Sequence, residues 1–142
     1  MVNSVTMYLM LALLALDLNA IRSEPNLEKR SDLALEYANT ALDSARDAIS
    51  AGDSAKVQAA VAEFRDSVEL SWHSLTDTGK YARNNNFFKR AEVRTRAFLR
   101  RLDGLHDVAA VEDQPAIEKA RARVVEIHDD LIQGIMSKKV KK

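Results

Sequence analysis

Residues 113–135, DQPAIEKARARVVEIHDDLIQGI, carry the apolar spacing of an amphipathic helix. Apolar residues recur at alternating steps of three and four, as one buried face of an α-helix requires. The members of this seam are Ile117, Ala120, Val124, Ile127, Leu131 and Gly134 or Ile135. Pro115 suits the first turn of a helix, where its missing amide costs nothing, and Asp113 is the expected N-cap. The stretch predicts a helix over residues 114–137 whose seam is buried against other helices.

Three further segments of similar length carry the same period, over residues 25–51, 54–78 and 87–110. Their seams are Leu35, Ala38, Leu42, Ala45 and Ile49; Val57, Val61, Phe64, Val68, Ser71 and Leu75; and Phe88, Ala91, Thr95, Phe98, Leu102, Leu105 and Ala109. Gly52 and Gly79 suit left-handed caps, and Asp53 suits an N-cap. Gly104 lies inside the last of these segments and predicts a close helix approach or a slight bend.

Four amphipathic helices joined by two short turns and one longer loop predict an all-α protein, folded as an antiparallel up-down-up-down four-helix bundle. We expect this bundle to form a single domain over residues 21–142. The longer loop, residues 80–86 (KYARNNN), is polar. There we expect Asn86 to cap the following helix and Phe87 or Phe88 to close the end of the bundle.

An uninterrupted apolar run, residues 5–16, precedes the helices and ends at Asp17-Leu18-Asn19-Ala20. An apolar run of this length followed by a small residue is typical of a secretory signal peptide, and it is too short to span a bilayer. We therefore expect a signal-peptide helix over residues 1–20, cleavage after Ala20, and a periplasmic or secreted protein. Because no Lys or Arg precedes the run, an N-terminal helix of the fold and an uncleaved anchor stay open as alternatives.

The composition excludes several kinds of site. The chain has no cysteine, which excludes disulfides, thiolate metal sites, covalent haem attachment and a cysteine nucleophile. Its formal net charge of zero argues against a nucleic-acid partner. No motif of a serine hydrolase, a zinc protease or a phosphate-binding loop occurs. We therefore expect a protein that is not an enzyme and has no cofactor.

Two histidines, His106 and His128, are weak candidates for metal ligands. A di-iron bundle requires an acidic residue three positions before a histidine on each of two helices. Asp103 stands at that spacing before His106, but Val125 stands there before His128. We therefore expect no metal site, and a bundle that binds a metal through histidines and nearby carboxylates stays open as an alternative.

The strongest asymmetry in the chain is electrostatic. Residues 80–101 contain eight basic residues and one acidic residue, Glu92, whereas the first two helices are rich in acids. The basic residues can pair with those acidic helices, or they can form a surface for an anionic partner such as lipid head groups or envelope glycans. The candidate residues for binding an anionic ligand are Lys80, Arg83, Lys89, Arg90, Arg94 and Arg101. A protein partner and self-association are the other expected modes of interaction.

Several short stretches together resemble small secreted helical-bundle proteins of bacteria. Besides the apolar leader and the Ala-rich first hairpin, the stretches are SLTDTGK (74–80), FKRAE (88–92), RRLD (100–103) and VEIHDDL (125–131). The resemblance implies an exported helical fold. No activity and no functional residue come with it.

Overall fold

The computed structural model describes residues 18–137, and all regular structure in that range is helical. The predicted all-α class is thereby confirmed. The four long helices are α1 (Leu27–Ala51), α2 (Ser54–Asp77), α3 (Asn86–Val108) and α4 (Gln114–Met136), with short 3-10 turns at Ala82–Asn84 and Val111–Asp113. Each long helix begins and ends within two residues of its predicted bounds.

The predicted signal segment up to residue 17 and the Lys-rich tail from residue 138 lie outside the described residues. Residues 18–22 are helical and cross the expected cleavage point after Ala20. Leu18 is buried.

Most of the predicted helix ends are found. Gly52 and Gly79 both have left-handed backbones, with φ values of 68° and 66°. The Asp53 carboxylate accepts a hydrogen bond from the Lys56 amide at 3.2 Å, as an N-cap does. At α3 the expectation is wrong by one residue, because Asn85, not Asn86, accepts hydrogen bonds from the first amides of the helix.

Small residues dominate the contact between α1 and α2, the helix pair that packs most extensively. Five alanines of α1 are buried: Ala34, Ala38, Ala41, Ala45 and Ala48. Short side chains let two helix axes approach closely. At the same interface the buried hydroxyls of Ser31 and Ser71 lie 2.7 Å apart, so each polar group has a partner.

Two antiparallel hairpins, α1 with α2 and α3 with α4, pack against each other so that α1 lies beside α3 and α2 beside α4. Asp32 pairs with Arg90 and Asp43 pairs with Arg101, so residue numbers on α1 and α3 rise together and these two helices run parallel. Helices α2 and α3 share few contacts. The rings of Phe64 and Phe98 meet edge to face between them, with centroids 5.3 Å apart.

Asp113 does not cap α4, contrary to the sequence prediction. It lies in a 3-10 turn with φ −92° and ψ −18°, a helical conformation in which its side chain makes no capping hydrogen bond. An N-cap requires an extended backbone. The buried Asp113 carboxylate instead accepts a hydrogen bond from the Ser54 hydroxyl, which ties the α3–α4 turn to the start of α2.

The close approach predicted at Gly104 is also wrong. A Cβ at Gly104 would meet nothing within 4 Å, whereas a Cβ at Gly134 would lie 3.1 Å from the Cβ of Ala82. The tight contact therefore joins α4 to the long loop. Since alanine is the better helix former by roughly 1 kcal/mol, we expect Gly104→Ala to raise the free energy of unfolding by about that amount in urea denaturation. A loss of stability would contradict this prediction.

Candidate functional site

The six candidate basic residues lie on the loop after α2 and on α3. Gly79 turns the chain left-handed, Ala82 is buried in the 3-10 turn, and Asn85 caps α3. These anchors hold the loop against α1 and α4, while Tyr81 and Arg83 beside the buried Ala82 stay exposed. The local sequence thus fixes the backbone of the loop and leaves its larger side chains in solvent.

Three of the candidates pair with acids of α1. Lys80 Nζ lies 2.5 Å from a Glu28 carboxylate oxygen, and an Arg90 guanidinium nitrogen lies 3.0 Å from Asp32. Arg101 donates to Asp43 at 2.6 Å and to the side-chain oxygen of Asn39 at 2.6 Å. These contacts agree with the interpretation that part of the basic segment pairs with the acidic helices.

The other three candidates, Arg83, Lys89 and Arg94, are exposed, and their side chains make no hydrogen bond or ion pair with any residue in the range 18–137. Arg100 is in the same situation, although sequence reasoning did not select it. Arg96, by contrast, pairs with Glu92 of its own helix at 3.3 Å. We call Arg83, Lys89, Arg94 and Arg100 the free basic set.

The acids of α1 respond differently to their basic neighbours. Hydrogen bonds from Lys80 and Asn85 hold the pKa of the Glu28 carboxyl below its usual value. Burial raises the pKa of Asp32, although the charges of Arg90 and of the more distant Arg94 act in the opposite direction. The cost of desolvating Asp32 therefore offsets much of what its pair with Arg90 contributes.

His106 and His128 are not brought together. His106 contacts Glu118 of α4 at 2.8 Å, and His128 contacts Glu92 of α3 at 3.2 Å. Glu118 and His128 are ten residues apart on α4, which corresponds to about 15 Å along a helix. Within residues 18–137 no group of three or more His, Cys, Asp or Glu side chains is placed to hold a metal ion.

An ion pair that sequence reasoning missed joins α2 to α4. The guanidinium of Arg123 donates two hydrogen bonds to the Glu69 carboxylate, one of them at 3.0 Å. This pairing lowers the pKa of Glu69 and raises that of Arg123. In the sequence, Glu69 and Arg123 each flank the apolar seam of their own helix. Only the packing of α2 beside α4 shows that these two residues pair.

The Glu69 pair makes a pH-dependent contribution to stability. Because the folded-state pKa of Glu69 lies below its ordinary value, the contribution is present above about pH 4.3 and is lost as the pH falls through the lowered value. We expect Glu69→Gln to reduce the free energy of unfolding by about 1–2 kcal/mol at pH 7, and by much less at pH 3, in urea denaturation. The matched control is Glu126→Gln, which removes the more exposed carboxylate on the same Arg123. An equal loss at both pH values would contradict the prediction.

A shallow groove of about 210 Å³ lies between the first halves of α2 and α4. Val61, Ala62, Ala116 and Ala120 line its apolar part, with Arg65 and Lys119 at its edges. Sites for drug-sized molecules are larger, about 300–1,000 Å³. The groove is therefore not the candidate site.

Nowhere between residues 18 and 137 is a helix long and apolar enough to cross a membrane. No protein-family model, no curated protein and no solved structure matches this chain. The candidate site is therefore defined by geometry and charge, and it consists of the exposed basic residues on the loop and on α3.

Proposed function

We propose that this protein is an exported, non-catalytic interaction protein of the cell envelope that binds an anionic partner through the free basic set. In this proposal it is periplasmic or secreted, and its four long helices form an up-down-up-down bundle. The antiparallel pairing of consecutive helices supports the bundle. The apolar run at residues 5–16 supports export.

Export has a direct test. We expect mass spectrometry of the native protein to find a chain that begins at Ile21, after cleavage behind Ala20. A native chain that still carries Met7 or Leu13 would contradict cleavage and would favour an uncleaved N-terminal helix.

One observation carries the binding proposal: no residue of the free basic set has an acidic partner within ion-pair distance among residues 18–137, although the chain as a whole has a formal net charge of zero. Three acids of α1, Glu28, Asp32 and Asp43, are already paired with Lys80, Arg90 and Arg101. Exposed cations that are not neutralised within the fold create a local positive potential, which attracts an anionic partner and speeds its association.

The test removes three free charges without touching the paired ones. The variant is Arg83→Ser with Lys89→Ser and Arg100→Ser; Arg94 is kept because Asp32 feels its charge. We expect the triple variant to bind immobilised dextran sulfate about 100-fold more weakly at low salt, since each lost cation contributes about fivefold. Stability should be unchanged.

The matched control removes the same number of charges elsewhere, with Arg46→Ser, Arg65→Ser and Lys119→Ser. It should bind dextran sulfate nearly as tightly as the unmodified protein. Equal losses in both triple variants would show that net charge alone governs binding, and the proposed site would be wrong.

A further inference from the structure

One end of the molecule exposes two large apolar side chains. Tyr81 and Met136 are each 76% exposed. Both belong to the same end of the molecule, because Met136 is the last residue of α4 and the loop of Tyr81 packs on α4 near its end, where a Cβ on Gly134 would lie 3.1 Å from that of Ala82. We call this part the loop end.

Two cations belong to the same end of the molecule. Arg83 follows Tyr81 by two residues, Lys89 lies in the first turn of α3, and neither side chain has an acidic partner within ion-pair distance in the described chain. The start of α1 is also at this end, since Glu28 pairs with Lys80.

The opposite end of the molecule provides a contrast. Val108 and Val111 are exposed there, at 65% and 79%. Their charged neighbours in sequence are Asp107 and Glu112, which are acidic. Both ends expose apolar side chains, but the charged residues near Val108 and Val111 in sequence are acidic, whereas Lys80 and Arg83 flank Tyr81 at the loop end.

We propose that the loop end docks on the surface of an anionic phospholipid bilayer, with Tyr81 and Met136 entering the interfacial region and Arg83 and Lys89 facing lipid phosphates. This inference rests on the proposed function and names the partner. Tyrosine favours the membrane interface because its ring is apolar and its hydroxyl stays hydrated. Basic residues beside inserted apolar groups bind anionic lipids, and weak contributions of both kinds add up.

A bilayer fits this end better than a small anion does. The free cations are exposed on the loop and on α3, and the groove between α2 and α4 is lined by other residues. A small anion requires convergent donors in a concave site. An extended anionic surface requires only that cations and apolar side chains be exposed at the same end of the molecule.

The experiment is co-sedimentation of the full chain with vesicles of 30% phosphatidylglycerol in phosphatidylcholine, and with vesicles of phosphatidylcholine alone. We expect binding to the anionic vesicles that is weakened about 25-fold by Arg83→Ser with Lys89→Ser. Tyr81→Ser with Met136→Ser should weaken it about tenfold. The matched control, Val108→Ser with Val111→Ser, removes two exposed apolar side chains from the opposite end and should bind as the unmodified protein does.

The outcomes separate this inference from the proposed function. Binding to dextran sulfate without binding to anionic vesicles would overturn the bilayer and leave the anion site standing, with an envelope glycan as the favoured partner. Binding to neither would overturn both. Equal binding to anionic and neutral vesicles, or an equal loss in the Val108 and Val111 control, would also overturn docking by the loop end.

Discussion

Replacing Phe64 with alanine is expected to lower the free energy of unfolding by about 4 kcal/mol, because removal of a fully buried phenyl ring leaves a cavity as well as lost apolar burial. Phe64 is 0% exposed. Its ring meets Phe98 at an interplanar angle of 87°. Since α2 and α3 share few other contacts, this aromatic pair is a direct link between these two helices across the core.

Urea denaturation followed by far-UV circular dichroism measures this loss, with Phe87→Ala as the control. Phe87 is only half-buried and lies at the end of the molecule under the Arg90 guanidinium, 4.5 Å from the ring centroid. Its removal should cost about 1 kcal/mol. If Phe64→Ala cost no more than Phe87→Ala, the Phe64 and Phe98 contact would not be a centre of the core.

The sequence predicted the local features of this fold because those features depend on neighbouring residues in the chain. The period of the fourth seam is an example, since Ile117, Ala120, Val124, Ile127 and Leu131 are all buried. Helix ends follow the same logic, because a glycine and a carboxylate at the right positions satisfy backbone groups a few residues away. One ambiguity arose where three asparagines follow one another and any of them could cap α3.

The predictions that were wrong concern features that depend on which helices are neighbours. Gly104 and Gly134 look alike in sequence, but only Gly134 faces another element closely. Asp113 stands before a proline-containing first turn, yet the 3-10 turn directs its carboxylate to Ser54 of a different helix. Helical periodicity gives the direction of a side chain around its own axis and contains no information about what lies opposite.

The sequence predicted the candidate site as a charge asymmetry, but it did not predict which basic residues pair with acids and which stay exposed. Arg90, Arg94 and Arg101 fall in one row of α3 by periodicity, but only Arg90 and Arg101 have acids of α1 within ion-pair distance. By the same periodicity Lys89 and Arg100 lie in a second row flanking the seam, and the structure leaves both side chains without an ion-pair partner in the described range. Side-chain reach across a particular helix pair decides between pairing and exposure.

The difference between paired and unpaired basic residues leads to a second large predicted effect on stability. Reversing Arg90 and Arg101 together to glutamate is expected to lower the free energy of unfolding by about 2 kcal/mol, since each reversal removes one ion pair and adds one repulsion of similar size. The new carboxylates would stand beside Asp32 and Asp43, whose present distances to the guanidinium groups are 3.0 Å and 2.6 Å. Reversing Lys89 and Arg100 changes net charge equally and should alter stability by less than about 0.5 kcal/mol.

The pH dependence of this loss identifies its origin. Burial already raises the pKa of Asp32, and removing the Arg90 charge should raise it further, so that Asp32 takes up a proton more readily. The repulsion at that position then disappears on acidification, and the stability gap between the unmodified and reversed proteins should narrow between pH 7 and pH 4. A gap that stays constant over this range would locate the damage in lost packing of the arginine side chains. The charge exchange Asp32→Arg with Arg90→Glu recovers stability only if the two groups contact each other directly. If the reversal of Lys89 and Arg100 lowered the free energy of unfolding by the same amount as that of Arg90 and Arg101, no specific ion pair would be involved.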